Sequence, residues 1–339
     1  MTEWQPAFTQ PAIFGKPNPA RNHRGSATSH GSGSLCLRRM QYTHVSVSDE
    51  SNWQSGRYRS IGMLSASRAD ASALHDETAK ILRESGADDF GWKKIRSAKY
   101  GFAAQKLIDA CARAISDSRL CIDVLIWDSQ GRRNTIRNLD REANLQIMYF
   151  HLFRNVMSRR WPPDCVWRHI PDERVGVKWE NVQSCLSAGD LLQGREPALG
   201  GLSPSAQSFG ASIKRTFRVA EITARGSQEM SLAPVADMVA GMGAFSREQF
   251  VEYRAWKRIV GYPETLFDPL PSLEPGPGKV EKFRVLSHFE STMNQLSLPV
   301  ALDQTGGLRT LDPSIAVNFW LYQPQPEKAA GRTDREFSW

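Results

Sequence analysis

The chain lacks any paired-cysteine spacing. Its five cysteines, Cys36, Cys111, Cys121, Cys165 and Cys185, are odd in number, scattered through 339 residues and never spaced as CxxC. Neither a disulfide framework nor a zinc knuckle is indicated, and buried thiols are expected. No run approaches the roughly 18 to 20 apolar residues of a membrane span, and the opening "MTEWQPAFTQPAIFGK" has neither a basic start nor an apolar signal core. A cytoplasmic protein with no membrane partner is expected. There is no Walker loop, no GxGxxG after a strand, no GxSxG elbow and no HExxH. His44, His151 and His169 stand alone rather than in ligand spacing, so nucleotide-loop, serine-hydrolase and zinc-protease chemistries lose their usual signatures. No internal repeat is visible.

What is present begins with charge. Formal net charge is +7, which favours polyanionic partners because Lys and Arg that neutralise phosphates release condensed counterions. Residues 1–40 are rich in Pro, Gly, Ser, His and Arg without a hydrophobic period, and are expected to be a flexible basic arm. From 41 the texture changes. "YTHVSVSDE" alternates at period two and "RYRSIGMLSAS" follows after a turn, predicting a hairpin. Two helices follow, "RADASALHDETAKILRES" and "AKYGFAAQKLIDACARAISDS", the second with Phe102, Leu107, Ile108, Cys111 and Ile115 on its apolar side. "RLCIDVLIWDSQ" suits a strand buried on both faces. A helix at "ANLQIMYFHLFRNVMSRR", a strand at "DCVWRHIPDERVG", a helix over 177–194, a strand at "KRTFRVAEITARGS" and a helix at "EMSLAPVADMVAGMGAFS" complete the series. This order implies an α/β fold with a mixed sheet covered by helices over 41–246. Residues 247–339, beyond the change of texture, are expected to be a small C-terminal accessory region.

Carboxylates fall at the ends of these elements: Asp49 and Glu50 on the first strand, Asp128 on the third, Asp172 and Glu173 after "VWRHI". Asp at a strand end commonly serves a turn or cap. Asp237, in "LAPVADMVAGM", is different, because a carboxylate among small apolar residues is costly unless paired or bound to a cation. Acids distant in sequence can meet at neighbouring strand ends, and oxygen donors of this kind suit Mg²⁺ or Mn²⁺. By strand alternation Glu50 points away from Asp49. Lys93, Lys94, Arg96 and Lys99 form a basic run fit for phosphate contact or merely for solvent, and Trp92 is either a stacking platform or a core aromatic.

These residues resemble the bacterial proteins grouped as domain of unknown function 3800, which are ribonuclease H-like. The resemblance covers about residues 42–245. It rests on Asp49, Glu50 and Ser51 closing the first strand, an acid ahead of Trp92 (Asp89), an acid with a polar pair closing a later strand (Asp172, Glu173 and Arg174), and Ala236 with Asp237 in the last helix. Asn52 stands where the family has Gly, Asp89 where it more often has Glu, and Pro234 where it has Gln. The resemblance implies a ribonuclease H-like sheet flanked by helices and a two-ion Mg²⁺ or Mn²⁺ site formed by Asp49, Asp89, Asp172 and Asp237. Glu50, Ser51, Lys93, Lys94, Glu173 and Arg174 would support the ligands or touch substrate. Asp89 enters on the resemblance alone. The expected activity is metal-dependent cleavage of nucleic-acid phosphodiesters. Two alternatives stand beside it: a catalytically impaired subunit that binds nucleic acid or a protein partner within a multi-subunit bacterial complex such as a defence system, and a phosphoesterase acting on a small nucleotide.

Overall fold

In a computed structural model of the protein, residues 42–52, 56–131, 141–157, 160–173, 217–224, 230–261, 275–302 and 306–323 are described. The arm 1–40, the helix expected over 177–194 and Arg174 lie outside them.

The alternating segment forms β1 (His44–Ser51), which turns into β2 (Tyr58–Ser67). Ser67 then caps α1 (Arg68–Glu84), its hydroxyl accepting the Asp70 N–H at 3.2 Å. This satisfies one of the amide groups left open at a helix start. A single 3₁₀ turn at Trp92–Lys94 leads into α2 (Ala98–Ser116), followed by β3 (Cys121–Asp128), α3 (Arg141–Val156), β4 (Trp167–Pro171) and β5 (Val219–Ile222). The last core helix is α4 (Ala233–Glu248), with Pro234 in its first turn, where a missing N–H costs nothing. Next come α5 (Phe250–Gly261), α6 (Pro277–Gln295), the short pair β6 (Val300–Ala301) and β7 (Arg309–Thr310), and β8 (Val317–Leu321).

Six strands make one sheet in the order β5-β4-β1-β2-β3-β8. β1, β2 and β3 are antiparallel neighbours, β4 and β5 continue parallel to β1, and β8 runs parallel to β3. With helices on both faces this is a mixed α/β sheet of the ribonuclease H-like kind. Strand alternation divides the core. Val45, Val47, Leu64, Ala66, Val124 and Ile126 face α1, α2, α4 and α6. Ile61, Met63, Leu125 and Trp127 face α3, against Leu145, Tyr149, Leu152 and Phe153. Cover on both faces explains why β3 reads as a continuous apolar run.

α4 sits closer to the sheet than ordinary side chains would allow. A Cβ at Gly62 of β2 would come within 2.5 Å of the Ala236 carbonyl oxygen and 3.0 Å of the Ala240 amide nitrogen. Glycine is required there because helix backbone rests on strand backbone. Ser60 fastens the same contact by donating to the Ala240 carbonyl at 2.6 Å. On the other side of α4, Gly241 accommodates the Trp92 indole, whose Cγ would lie 2.2 Å from a Cβ at that position. Trp92 is therefore a core aromatic, 4% exposed.

The C-terminal accessory region is built into this core. Phe283, Leu286 and Phe289 of α6 join the cluster beneath α4, and β8 extends the sheet beyond β3. Arg160 ties the turn before β8 to β3: it pairs with buried Asp123 at 2.8 Å and donates to the carbonyls of Pro313 and Ile315. Phe102 departs from its expected place on the apolar side of α2. It is 56% exposed, with the Lys106 ammonium 4.6 Å from its ring. Five residues before Leu107 is some 140° around the helix, so Phe102 faces solvent while Leu107, Ile108 and Cys111 face the core. Among the described residues, no helix is long and apolar enough to cross a membrane.

Candidate functional site

The site is set by register. Alternation along β1 sends Asp49 to the same face as Val45 and Val47, and the antiparallel ladder sets it opposite Gly62, the residue on which α4 rests. Asp49 is accordingly 3% exposed, and its Oδ1 accepts the Glu50 N–H at 2.7 Å. On the other side of β1, the parallel ladder pairs Val47 with Ile170 and Ser48 with Pro171. One step further, Asp172 comes opposite Asp49, its N–H donating to the Ser48 carbonyl at 3.0 Å. It shares the parity of Ile170, a member of the α4-side core. Asp237 directly follows Ala236, whose carbonyl touches Gly62. The Asp237 Oδ2 accepts the Trp92 N–H at 2.6 Å, and lies 3.0 Å from where a Cβ on Gly91 would be.

Asp49 and Asp172 thus belong to one end and one face of the sheet, whereas Asp237 lies on α4, which packs on that face, with its carboxylate turned to the Trp92 backbone N–H. Asp89 is not brought in with them. Its carboxylate is 57% exposed, paired with Lys94 and accepting from the Tyr100 hydroxyl at 3.0 Å. The Lys94 bond, then the Tyr100 bond, holds it below the usual carboxylate range. Among the described residues, no three His, Cys, Asp or Glu side chains lie close enough together to hold a metal ion. The donor chemistry nevertheless suits a hard cation. Mg²⁺ commonly takes one or two carboxylates and completes its shell with water and substrate phosphate. Asp49 and Asp172, neighbours in register, are carboxylates of that kind.

The remaining candidates divide by face. Ser51 is buried on the Asp49 side, whereas Glu50 turns to the α3 side, as alternation requires. Lys93 and Glu173 are exposed, and Lys94 is occupied by Asp89. Asp128 behaves as a turn acid, accepting the Gln130 N–H and pairing with Arg57 at 2.8 Å.

Sequence reasoning missed a polar chain buried on the α3 face. Ser46 Oγ and His169 Nδ1 share a 2.9 Å bond, His169 Nε2 lies 3.3 Å from Ser48 Oγ, Ser48 Oγ lies 3.1 Å from the Tyr149 hydroxyl, and Tyr149 donates to Glu50 Oε1 at 2.5 Å. Burial pushes His169 down to about 3, so its imidazole stays neutral. Burial, then the Glu50 charge, pushes the Tyr149 phenol well up. The chain anchors the end of β1, and with it the backbone of Asp49, to α3. Its signal was the alternation Ser46, Ser48, Glu50: a polar stripe on a strand whose neighbours are all covered. Lys282 was also missed. It is half-buried, with its ammonium 5.1 Å from the Trp92 ring centre and 5.5 Å from that of Phe245. Burial, then Arg96, push it down to about 8 against the opposing pull of Asp237.

No family model matches the chain. Over 288 residues, 82% of this chain and 94% of the relative, it is 32% identical to the uncharacterized protein ORF2′ of Methanothermobacter thermautotrophicus. Over 287 residues, with the same two coverages, it is 31% identical to the uncharacterized protein ORF2 of that organism. The chain belongs to the ORF2 family. Because the match takes up 82% of the chain, more than the 246 of 339 residues that precede the accessory region, the ORF2 likeness extends into that region. α6 and β8, which complete the core and the sheet, give a physical reason for similarity there.

Proposed function

We propose that this ORF2-family protein is a divalent-metal-dependent nuclease of the domain of unknown function 3800 group, hydrolysing phosphodiester bonds in nucleic acid. The observation that carries the reading is the in-register placement of Asp49 and Asp172 at neighbouring parallel strand ends, on the face where α4 rests on Gly62. Asp49 and Asp172 would hold Mg²⁺ or Mn²⁺, with Asp237 beside them. When bound, such an ion lowers the pKa of coordinated water and stabilises charge on phosphoryl oxygens. The protein's own residues do the positioning. The Trp92 N–H fixes the direction of the Asp237 carboxylate, the Glu50 N–H that of Asp49, and Tyr149 holds the strand end through Glu50. Burial of Asp49 beneath α4 limits access of bulk water, which strengthens its interaction with any cation.

The test is cleavage of labelled single-stranded DNA, duplex DNA and RNA by the full-length protein with Mg²⁺ or Mn²⁺. Activity that is abolished by EDTA, and reduced at least about 100-fold by Asp49→Asn or Asp172→Asn, is expected, since loss of even an indirect metal partner typically costs 10- to 100-fold. Cleavage that survives both substitutions would overturn the reading. One observation favours a second reading, a ribonuclease H-like subunit that binds nucleic acid or a protein partner without cutting: the described acids do not close a three-carboxylate cluster, and Asp89 is engaged at the surface. Nucleic-acid retention without cleavage under any metal condition would select it.

A further inference from the structure

Around Trp92 the fold assembles positive charge from two segments nearly 190 residues apart. Arg96 donates from Nε to the Lys93 carbonyl at 3.1 Å, which ties the two basic residues into one short loop. The stem of Arg96 lies against the first turn of α6, where a Cβ on Gly278 would meet Arg96 Cβ and Cγ at 3.2 and 3.3 Å. Lys282 comes one turn later on the same side of α6, and its ammonium is held over the faces of Trp92 and Phe245. Trp92 in turn donates its backbone N–H to Asp237, so the cations border that carboxylate of α4. Lys94, in the same loop, is neutralised by Asp89. Among the described residues, Lys93, Arg96 and Lys282 form no ion pair with a carboxylate.

Like charges gathered by packing repel one another. Desolvation of Lys282 adds to that strain, and an anion lying against the group would relieve both. Packing of a lysine stem on aromatic rings alone is the competing explanation. It accounts for Lys282 but not for the convergence of Lys93 and Arg96 upon it.

We propose that Lys93, Arg96 and Lys282 form a clamp for the sugar-phosphate backbone of a nucleic acid strand, seating it beside Asp237 of α4. The position next to Asp237 selects among anions. A phosphodiester carries a single negative charge and is repelled by that carboxylate less than a phosphomonoester dianion or a carboxylate-rich peptide would be. Lys and Arg contacts of this kind fix the path of a strand without reading its sequence. The inference deepens the nuclease reading by naming how its substrate is held; its test does not depend on the cleavage step.

Binding of a fluorescein-labelled single-stranded DNA to the full-length protein is measured by anisotropy in EDTA, between 50 and 200 mM salt. The wild-type affinity falls with salt. For each phosphate contact removed from a single strand the slope of log K against log salt drops by about 0.7, so the loss of affinity over this fourfold range shrinks about 2.6-fold. Arg96→Gln and Lys282→Gln are each expected to do this, and Lys282→Arg to restore the slope should Lys282→Gln perturb packing. Arg113→Gln, on α2 and paired with Glu77, is expected to leave the slope unchanged. Unchanged slopes in both cluster variants would overturn the clamp, as would an equal drop in Arg113→Gln. Altered slopes together with no metal uptake would sink the metal reading and keep the clamp; metal uptake with unaltered slopes would do the reverse.

Discussion

Replacing Gly62 by Ala tests the contact on which the site's geometry depends. The new methyl would lie 2.5 Å from the Ala236 carbonyl oxygen, 2.9 Å from Val239 Cγ2 and 3.0 Å from the Ala240 nitrogen, where ordinary contact begins near 3.4 Å. Two of the three obstacles are helix backbone, which cannot rotate aside. α4 would have to retreat by about 0.9 Å, uncovering Asp49 and lengthening the 2.6 Å bond from Ser60 to the Ala240 carbonyl. Overpacking of this kind costs about 1 to 3 kcal/mol, and the rigid neighbours place Gly62→Ala at the upper end. At roughly 2 °C of Tm per kcal/mol for a chain of this size, the melting point should fall by about 6 °C. Ser60→Ala, which loses a hydrogen bond but adds no bulk, should cost about 1 kcal/mol. Thermal melts followed by circular dichroism at matched concentration compare the three proteins. A Gly62→Ala protein melting within 1 °C of wild type would mean that α4 does not rest on β2, and the burial of Asp49 beneath α4 would fall with it.

Two further outcomes follow from the buried and exposed titratable groups. His169 sits near 3 in the folded protein against an ordinary 6.5, so the unfolded chain takes up the proton first and stability is lost as pH falls through that window. The loss is at most about 1.4 kcal/mol per pH unit, roughly 2 kcal/mol between pH 6.5 and 5. His169→Asn should flatten urea-denaturation midpoints over that range by this amount, leaving the shares of His44 and His151, which burial also lowers; an unchanged pH dependence would show that the imidazole is not held neutral. Asp89→Asn should leave both the melting point and Mn²⁺ affinity at wild-type values, because its carboxylate faces Lys94 and Tyr100 at the surface. A loss of Mn²⁺ affinity equal to that of Asp49→Asn would return Asp89 to the ligand set.

Much of the fold was legible because local period and burial agree. The alternation of "YTHVSVSDE" is β1, the unbroken "CIDVLIWD" is a strand covered on both faces, and Pro234 marks the first turn of α4. Asp49, Asp172 and Asp237 stood out as acids at element ends or among small residues, and register sets the first two side by side at one strand end. Their mutual register could not be read, because pairing between β1 and β4 across more than 100 residues is set by tertiary packing. The surroundings of Asp89 were hidden for a related reason. Its partners, Lys94 and Tyr100, come together only because the 3₁₀ turn at Trp92 folds the chain back on itself. Helical spacing puts Phe102 on the apolar side of α2 only if an angle of some 140° from Leu107 is counted as one face, and at that angle it meets solvent. Lys282 was beyond reach, since nothing local in "KVEKFRVL" tells that α6 lies against Trp92. The Ser46–His169–Ser48–Tyr149 chain was hidden because serine in a strand reads as surface until both faces are known to be covered.

The proposal that Asp49 and Asp172 share a divalent cation is tested most directly by isothermal titration of Mn²⁺ into the full-length protein and into Asp49→Asn and Asp172→Asn, each checked for an unchanged circular dichroism spectrum. The account predicts saturable uptake by the wild type, weakened by more than about 100-fold in either variant, since a direct ligand outweighs the supporting groups whose loss costs 10- to 100-fold. Uptake of equal strength in all three proteins, or none in the wild type, would contradict it.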